Sequence, residues 1–291
     1  MTKINICGVP EHFNLPWHLC LENGEFAANN LDVRWTDVPE GTGKMCQMLR
    51  SGETDIAVIL SEGIVKDIEA GNASKIVQLY VESPLVWGIH VATDSNFYKI
   101  ADLENKKVAI SRKGSGSELM AIVHADSQNW DSKNLDFEIV NTLEGAIKAL
   151  SIGDADYFMW EKFMTKPIVD AGIFRRIGEC PTPWPCFVIA VCAEFLSDND
   201  AAIKKVLDII NTKTKSIKLI ENIGNIFAER YKLQQEDSAA WLSETFWSQR
   251  NISENELRDI QTQLFDLQII DKKSTFAAIV STVAQEINDR L

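Results

Sequence analysis

The sequence predicts a two-lobed α/β protein with two mostly parallel sheets, flanked by helices and joined by two crossover strands. Three observations lead there: apolar β-rich runs alternate with amphipathic stretches over residues 3–82, the alternation restarts near residue 105, and the pattern turns wholly helical after about residue 200. Alternation of this kind builds parallel sheets covered by helices on both faces. The length of 291 residues accommodates two lobes, since one domain takes roughly 150 residues.

In chain order, strands are expected at 3–9, 32–38, 55–60 and 75–82, separated by helices at 15–28, 43–51 and 62–70. The second run places strands at 107–111, 137–141, 156–160 and 174–179, with helices at 116–128, 143–151 and 161–170. An internal match ties the runs together. LRSGETD at 49–55 and LSIGDAD at 150–156, offset by 101 residues, each end a helix and lead into a buried strand. The glycine of each suits the left-handed position just past a helix end. From 200 onward the helices are 200–221, 223–233, 236–248, 253–267 and 275–289. With no strand of their own they are expected to return to the first lobe. Lobe one is then discontinuous, 1–92 plus 191–291, and lobe two is 93–190. The apolar runs 87–92 and 186–192 are the crossovers and candidate hinge strands.

Composition narrows the function. Lys and Arg total 29 against 42 Asp and Glu, a formal charge of −13, which disfavours nucleic acid and anionic membrane surfaces because both are bound mainly through cationic side chains. No apolar stretch reaches the length of a membrane span, and the opening MTKINICGVP has no secretory pattern. A cytoplasmic location is therefore expected unless a leader has been removed. The six cysteines show no C-x-x-C spacing and only four histidines are present. Reduced buried thiols, no metal site and no cofactor are expected.

Four segments carry a family resemblance: KINICGVPEHFNLPWHL at the start, GETDIAVILSEGI, DLENKKVAISRKGSGSE and GDADYFMWEK. Over nearly its whole length the chain resembles the type II periplasmic substrate-binding proteins. The nearest branch holds aliphatic-sulfonate and taurine binders and thiamine-pyrimidine binders and synthases, and the chain looks like its signal-less stand-alone members in fungi and bacteria. The resemblance implies a small-molecule ligand held between two lobes that close over it. Fungal synthases of this fold act on pyridoxal phosphate and carry a cysteine-rich motif, which CPTPWPC at 180–186 does not match residue by residue. An enzyme of that kind stays as the alternative to a binding protein.

Ligands of open parallel sheets sit outside the carboxyl ends of the strands, which makes the loops there the candidate site. Trp17, Trp87, Trp160 and Trp184 fall in or beside these loops and are expected to wall a pocket for a flat or cationic ligand. Each also has an ordinary reading as core packing. Glu11, Glu62, Glu82 and Glu161 lie at strand-to-loop edges and could accept hydrogen bonds from an amine or aminopyrimidine; Glu11, beside His12, and Glu161, beside Trp160, are preferred, and Ser61 shares the loop of Glu62. Thr42, in the turn Glu40-Gly41-Thr42-Gly43, belongs to a weaker counterpart of the Ser115–Ser117 turn that reads first as a plain helix cap. Ser115, Gly116 and Ser117 open a helix after a strand and form a candidate site for a sulfonate or phosphate-like anion. No nucleophile elbow, zinc helix or dinucleotide fingerprint is present, so no catalytic residue is assigned. Lys44, Lys66, Lys113 and Lys162 are the lysines a pyridoxal phosphate enzyme would draw on, Lys113 having a cationic neighbour in Arg112.

Overall fold

The computed structural model describes residues 1–282. It holds two compact units: Met1–Ser83 with the described residues from Trp184 onward, and Pro84–Pro183.

In the first unit, β1 (Thr2–Gly8), β2 (Leu31–Asp37), β3 (Ile56–Leu60) and β4 (Ser74–Val81) alternate with α1 (Leu15–Glu22), α2 (Glu25–Ala28), α3 (Thr42–Ser51) and α4 (Ser61–Glu69). One helix was expected over 15–28. It breaks in two at Gly24, whose φ of 68° is left-handed, a conformation glycine adopts without steric cost.

The second unit contains β5 (Val86–Ala92), β6 (Val108–Ile110), β7 (Phe137–Ile139), β8 (Tyr157–Glu161) and β9 (Phe174–Pro181), with α5 (Gly116–Ser127), α6 (Leu143–Ile152) and α7 (Lys166–Asp170). The helix expected from 161 begins only at Lys166. The Glu161 carboxylate accepts the N–H groups of Phe163 and Met164 at 2.8 and 2.7 Å and holds the intervening residues as a turn.

The chain then supplies β10 (Phe187–Cys192) and α8 (Ala193–Asp198), α9 (Asp200–Ser216), α10 (Ile223–Tyr231), α11 (Gln235–Glu244), α12 (Glu254–Asp266) and α13 (Phe276–Ile279), all in the first unit. This tail is not purely helical. Trp247 and Val280 form isolated bridges to Val81 and Ile76 of β4. Of the helix expected at 275–289, the part from 283 lies outside the described residues.

The sheets run β2-β1-β3-β10-β4 and β7-β6-β8-β5-β9. In each, four strands share one direction and a crossover strand runs antiparallel in fourth place: β10 between β3 and β4, β5 between β8 and β9. The units therefore divide at 83/84 and 183/184, several residues before the expected boundaries, because each crossover strand pairs within the sheet it enters. IAVIL of β3 and FVIAV of β10 are buried along their length, as strands covered on both faces must be.

The internal repeat has a structural basis. Gly52 and Gly153 are left-handed helix ends at φ 71° and 77°. The carboxylates of Asp55 and Asp156 accept the N–H of Asn5 and Lys107 at 2.7 and 2.8 Å, fastening each helix-to-strand turn to the neighbouring strand.

Candidate functional site

Both sheets reverse their strand order beside their first parallel strand, between β1 and β3 in the first unit and between β6 and β8 in the second. That reversal opens a crevice at the carboxyl ends of the flanking strands. Glu11 and His12 follow β1, Ser61 and Glu62 follow β3, Ser111 to Ser117 follow β6, and Glu161 ends β8. Most of the candidates thus fall at the switch point of one unit or the other.

In the first unit the centre is Glu62, in the first turn of α4 and fully buried. The Trp184 indole N–H donates to its Oε2 at 2.8 Å. Its Oε1, and the hydroxyl of the adjacent buried Ser61, have no hydrogen-bond partner among the described residues. Burial pushes the Glu62 carboxyl up to about 7, against the opposing pull of its own backbone N–H and the Trp184 indole. The Ser61 N–H donates to the Cys186 carbonyl at 2.9 Å, which ties the start of α4 to the entry of β10. Thr42 opens α3 and lies against Gly63, where an added Cβ would come within 2.2 Å of its methyl carbon.

Other first-unit candidates turn inward. Trp17 is wholly buried among Phe26, Trp35 and Tyr80, with ring centroids 5.8–6.2 Å apart, and belongs to the core. His12 is equally buried, 4.9 Å from the Phe13 ring and 4.4 Å from that of Trp241. Desolvation lowers its imidazole to about 3. Glu11 is half-buried beside it, and desolvation raises its carboxyl to about 7.

In the second unit, Ser115 caps α5. Its Oγ lies 3.0 Å from that of Ser117, which accepts the Ser111 N–H at 2.9 Å. Ser111 ends the predicted strand and opens the same loop, but a strand-end serine has no signal of its own that would assign it to the cluster. Gly116 is the first residue of α5. The Glu118 carboxylate folds back over this turn, accepting the Gly114 N–H and pairing with the Lys113 ammonium at 3.2 Å. A bound anion would have to share the turn with it.

Trp87 and Trp160 meet edge to face at 6.1 Å, and Trp160 stacks on Phe158 at 5.5 Å. The buried Trp87 indole N–H has no hydrogen-bond partner among the described residues. Glu161 spends its carboxylate on the turn already described.

The lysines do not fit pyridoxal phosphate. A Schiff base needs an amine that loses its proton near neutrality. Lys44, Lys113 and Lys162 instead are ion-paired, 3.6, 3.2 and 3.5 Å from the carboxylates of Glu53, Glu118 and Glu179. Lys66 sits in the last turn of α4, at the far end of that helix from the switch point.

Two doubly wound sheets, each completed by the other crossover strand, define the periplasmic binding protein fold, and comparison with known proteins agrees. The CA3427 gene product of Candida albicans, which has the generic periplasmic binding protein fold, superposes with a TM-score of 0.86 at 23% identity, covering 99% of this chain and 95% of that one. The alkanesulfonate-binding protein SsuA from Xanthomonas axonopodis pv. citri, bound to MOPS, gives 0.82 at 13% identity, covering 97% and 99%. The periplasmic aliphatic sulphonate binding protein SsuA from Escherichia coli gives 0.73 at 16%, covering 97% and 92%. At such identities the likeness is one of fold. Residues 87–180 also match the family described as Ca3427-like PBP, so the resemblance to type II periplasmic-binding-protein-like proteins holds. No curated protein is significantly similar in sequence.

Proposed function

We propose that the protein binds a small molecule that presents N–H donors to the Ser61–Glu62 end of β3, a flat nitrogen-containing compound such as a thiamine pyrimidine precursor. One observation carries the reading: a fully buried carboxyl at the switch point with one oxygen held by Trp184 and the other without a hydrogen-bond partner among the described residues, beside a hydroxyl equally without one among them. A buried acceptor left unmatched costs about 1–3 kcal/mol, and a ligand donor recovers it. The fold supports the reading too, because its solved neighbours include small-molecule binders.

A second reading, a sulfonate at Ser111, Ser115 and Ser117, is favoured by the hydroxyl cluster at the start of α5 and by the sulfonate binders among the neighbours. Glu118 weighs against it. Thermal unfolding with each ligand class separates the two. A ligand at a hundredfold excess over its Kd adds about 2.7 kcal/mol of stability. The expected result is stabilisation by the aminopyrimidine alcohol of thiamine that is abolished in E62Q and kept in S117A. Stabilisation by an alkanesulfonate alone, lost in S117A, would overturn the first reading.

A further inference from the structure

The segment CPTPWPC at 180–186 matches no cysteine motif and no metal spacing, yet it ends against the start of α4. Pro183 and Pro185 flank Trp184. Proline fixes its own φ, and a residue that precedes proline is confined to extended backbone, so the sequence itself pre-sets the path on either side of the indole. Two contacts then reach the neighbouring pair on α4. The Trp184 Nε1–H donates to Glu62 Oε2 at 2.8 Å, and the Cys186 carbonyl accepts the Ser61 N–H at 2.9 Å. The Cys186 N–H is anchored in turn to the Ser83 carbonyl at 3.3 Å.

We infer that Trp184 is a positioning residue that sets ligand specificity: by occupying Oε2 it fixes Oε1, together with the Ser61 hydroxyl, as the acceptor offered to the ligand. The inference rests on the proposed function and deepens it. A free carboxylate has two equivalent oxygens that exchange by rotation about its terminal bond. An indole N–H is a donor only, so the oxygen it holds is spoken for and the remaining one has a defined direction. The site then discriminates by hydrogen-bond polarity, accepting an amino group and rejecting an isosteric group that can only accept.

The test uses the aminopyrimidine alcohol of thiamine and its analogue with methoxy in place of the amino group, titrated by calorimetry into the full chain at pH 8.5, above the value of about 7 to which burial raises Glu62, so that Oε1 is an acceptor. The unmodified protein should prefer the amino probe by about tenfold or more, as sites that pair a buried polar group with the ligand do. In E62Q the Trp184 N–H still claims the oxygen and turns the amide NH2 toward the ligand, so the preference should invert. In the E62Q/W184F double variant the amide is free to flip and the preference should vanish. W184F alone, which keeps an aromatic ring but no donor, leaves an acceptor-only carboxylate of undefined direction, so it should keep the sign of the preference and bind the amino probe severalfold more weakly. Unchanged affinity for the amino probe in W184F, or an amino preference retained in E62Q, would overturn the positioning role. If the unmodified chain binds neither probe, the proposed function fails, and the Trp184 indole proton still decides the contact. Its nuclear magnetic resonance shift should follow the titration of Glu62 near pH 7 and lose that inflection in E62Q. A flat response in the unmodified chain would by itself overturn the inference.

Discussion

Glu62 is a carboxyl that the fold makes harder to ionise, and its cost shows as a pH dependence. Its pKa rises from 4.5 in the free group to about 7 in the folded chain, so between those values the native state holds a proton that the unfolded state has lost. Stability therefore falls as pH rises through that window and levels off above about 7, by an amount on the order of 1–3 kcal/mol. Denaturant unfolding of the unmodified chain and E62Q between pH 4.5 and 8 should show this slope in their difference, and parallel curves would contradict it; the comparison removes the contribution of Glu11, which titrates in the same range. Three histidines act in the opposite sense. Burial lowers His12 to about 3 and His90 and His124 to about 4, so the unfolded chain takes up protons that the native one refuses, and stability is lost as pH falls from about 6.5 toward 4. Nitrogen-15 imidazole spectra at pH 5 should find these three rings neutral, and an imidazolium at any of them would refute the assignment. Strand-end position made Ser61 and Glu62 candidates but favoured Glu11 and Glu161 over Glu62, because the partner that defines Glu62 is invisible locally: Trp184 lies 122 residues away in the chain, and no local pattern encodes a contact at that distance. Trp17 and His12 were equally well placed by position, yet an aromatic ring near a strand end looks the same in sequence whether it turns toward the core or the ligand.

Between elements, two glycines show where α3 and α4, and the start of α6, approach too closely for a side chain. A Cβ on Gly63 would lie 2.2 Å from the Thr42 methyl carbon, and one on Gly145 would lie 1.9 Å from the Val140 carbonyl oxygen. The first obstacle is a side chain and the second is backbone. G63A should therefore cost about 1–3 kcal/mol and recover most of it in the G63A/T42S double variant, which removes the methyl. G145A should be at least as costly and gain nothing from V140A, because the carbonyl remains. Additive behaviour of G63A and T42S in thermal unfolding would contradict the contact. The repeated turn at 49–55 and 150–156 is the element most fully readable in advance, since a glycine after a helix and an aspartate before a strand each have one local job. Asp55 and Asp156 perform the same hydrogen bond in their separate units, so D55A and D156A should destabilise by similar amounts, about 1 kcal/mol each, read by denaturant unfolding. Least readable was the region 161–165, where the Glu161 carboxylate outcompetes helix formation; glutamate is an ordinary helix former, and nothing in its neighbours announces that its side chain will take the backbone donors instead.

At the scale of the whole chain, the doubled α/β pattern was visible because each strand and helix is long enough to express its period. What periodicity could not show is that each sheet takes its fourth strand from the other pass of the chain. The runs that form β5 and β10 read as crossover and hinge strands, and only pairing reveals them as interior strands, β10 between β3 and β4 and β5 between β8 and β9. The same arrangement places Trp184 just ahead of β10 and next to α4, the helix that follows its neighbour β3, which is why a proline-braced segment between the two units of the chain can hold Glu62. The switch point of the first sheet, the buried carboxyl and its indole partner are what the proposed binding of a donor-bearing small molecule at the carboxyl end of β3 rests on. The most direct test is a crystal structure of the chain grown with the aminopyrimidine alcohol of thiamine. The account predicts the amino nitrogen about 3 Å from Glu62 Oε1, with the Trp184 indole still on Oε2. A ligand seated on Ser115 and Ser117, with Glu62 Oε1 untouched, would contradict it.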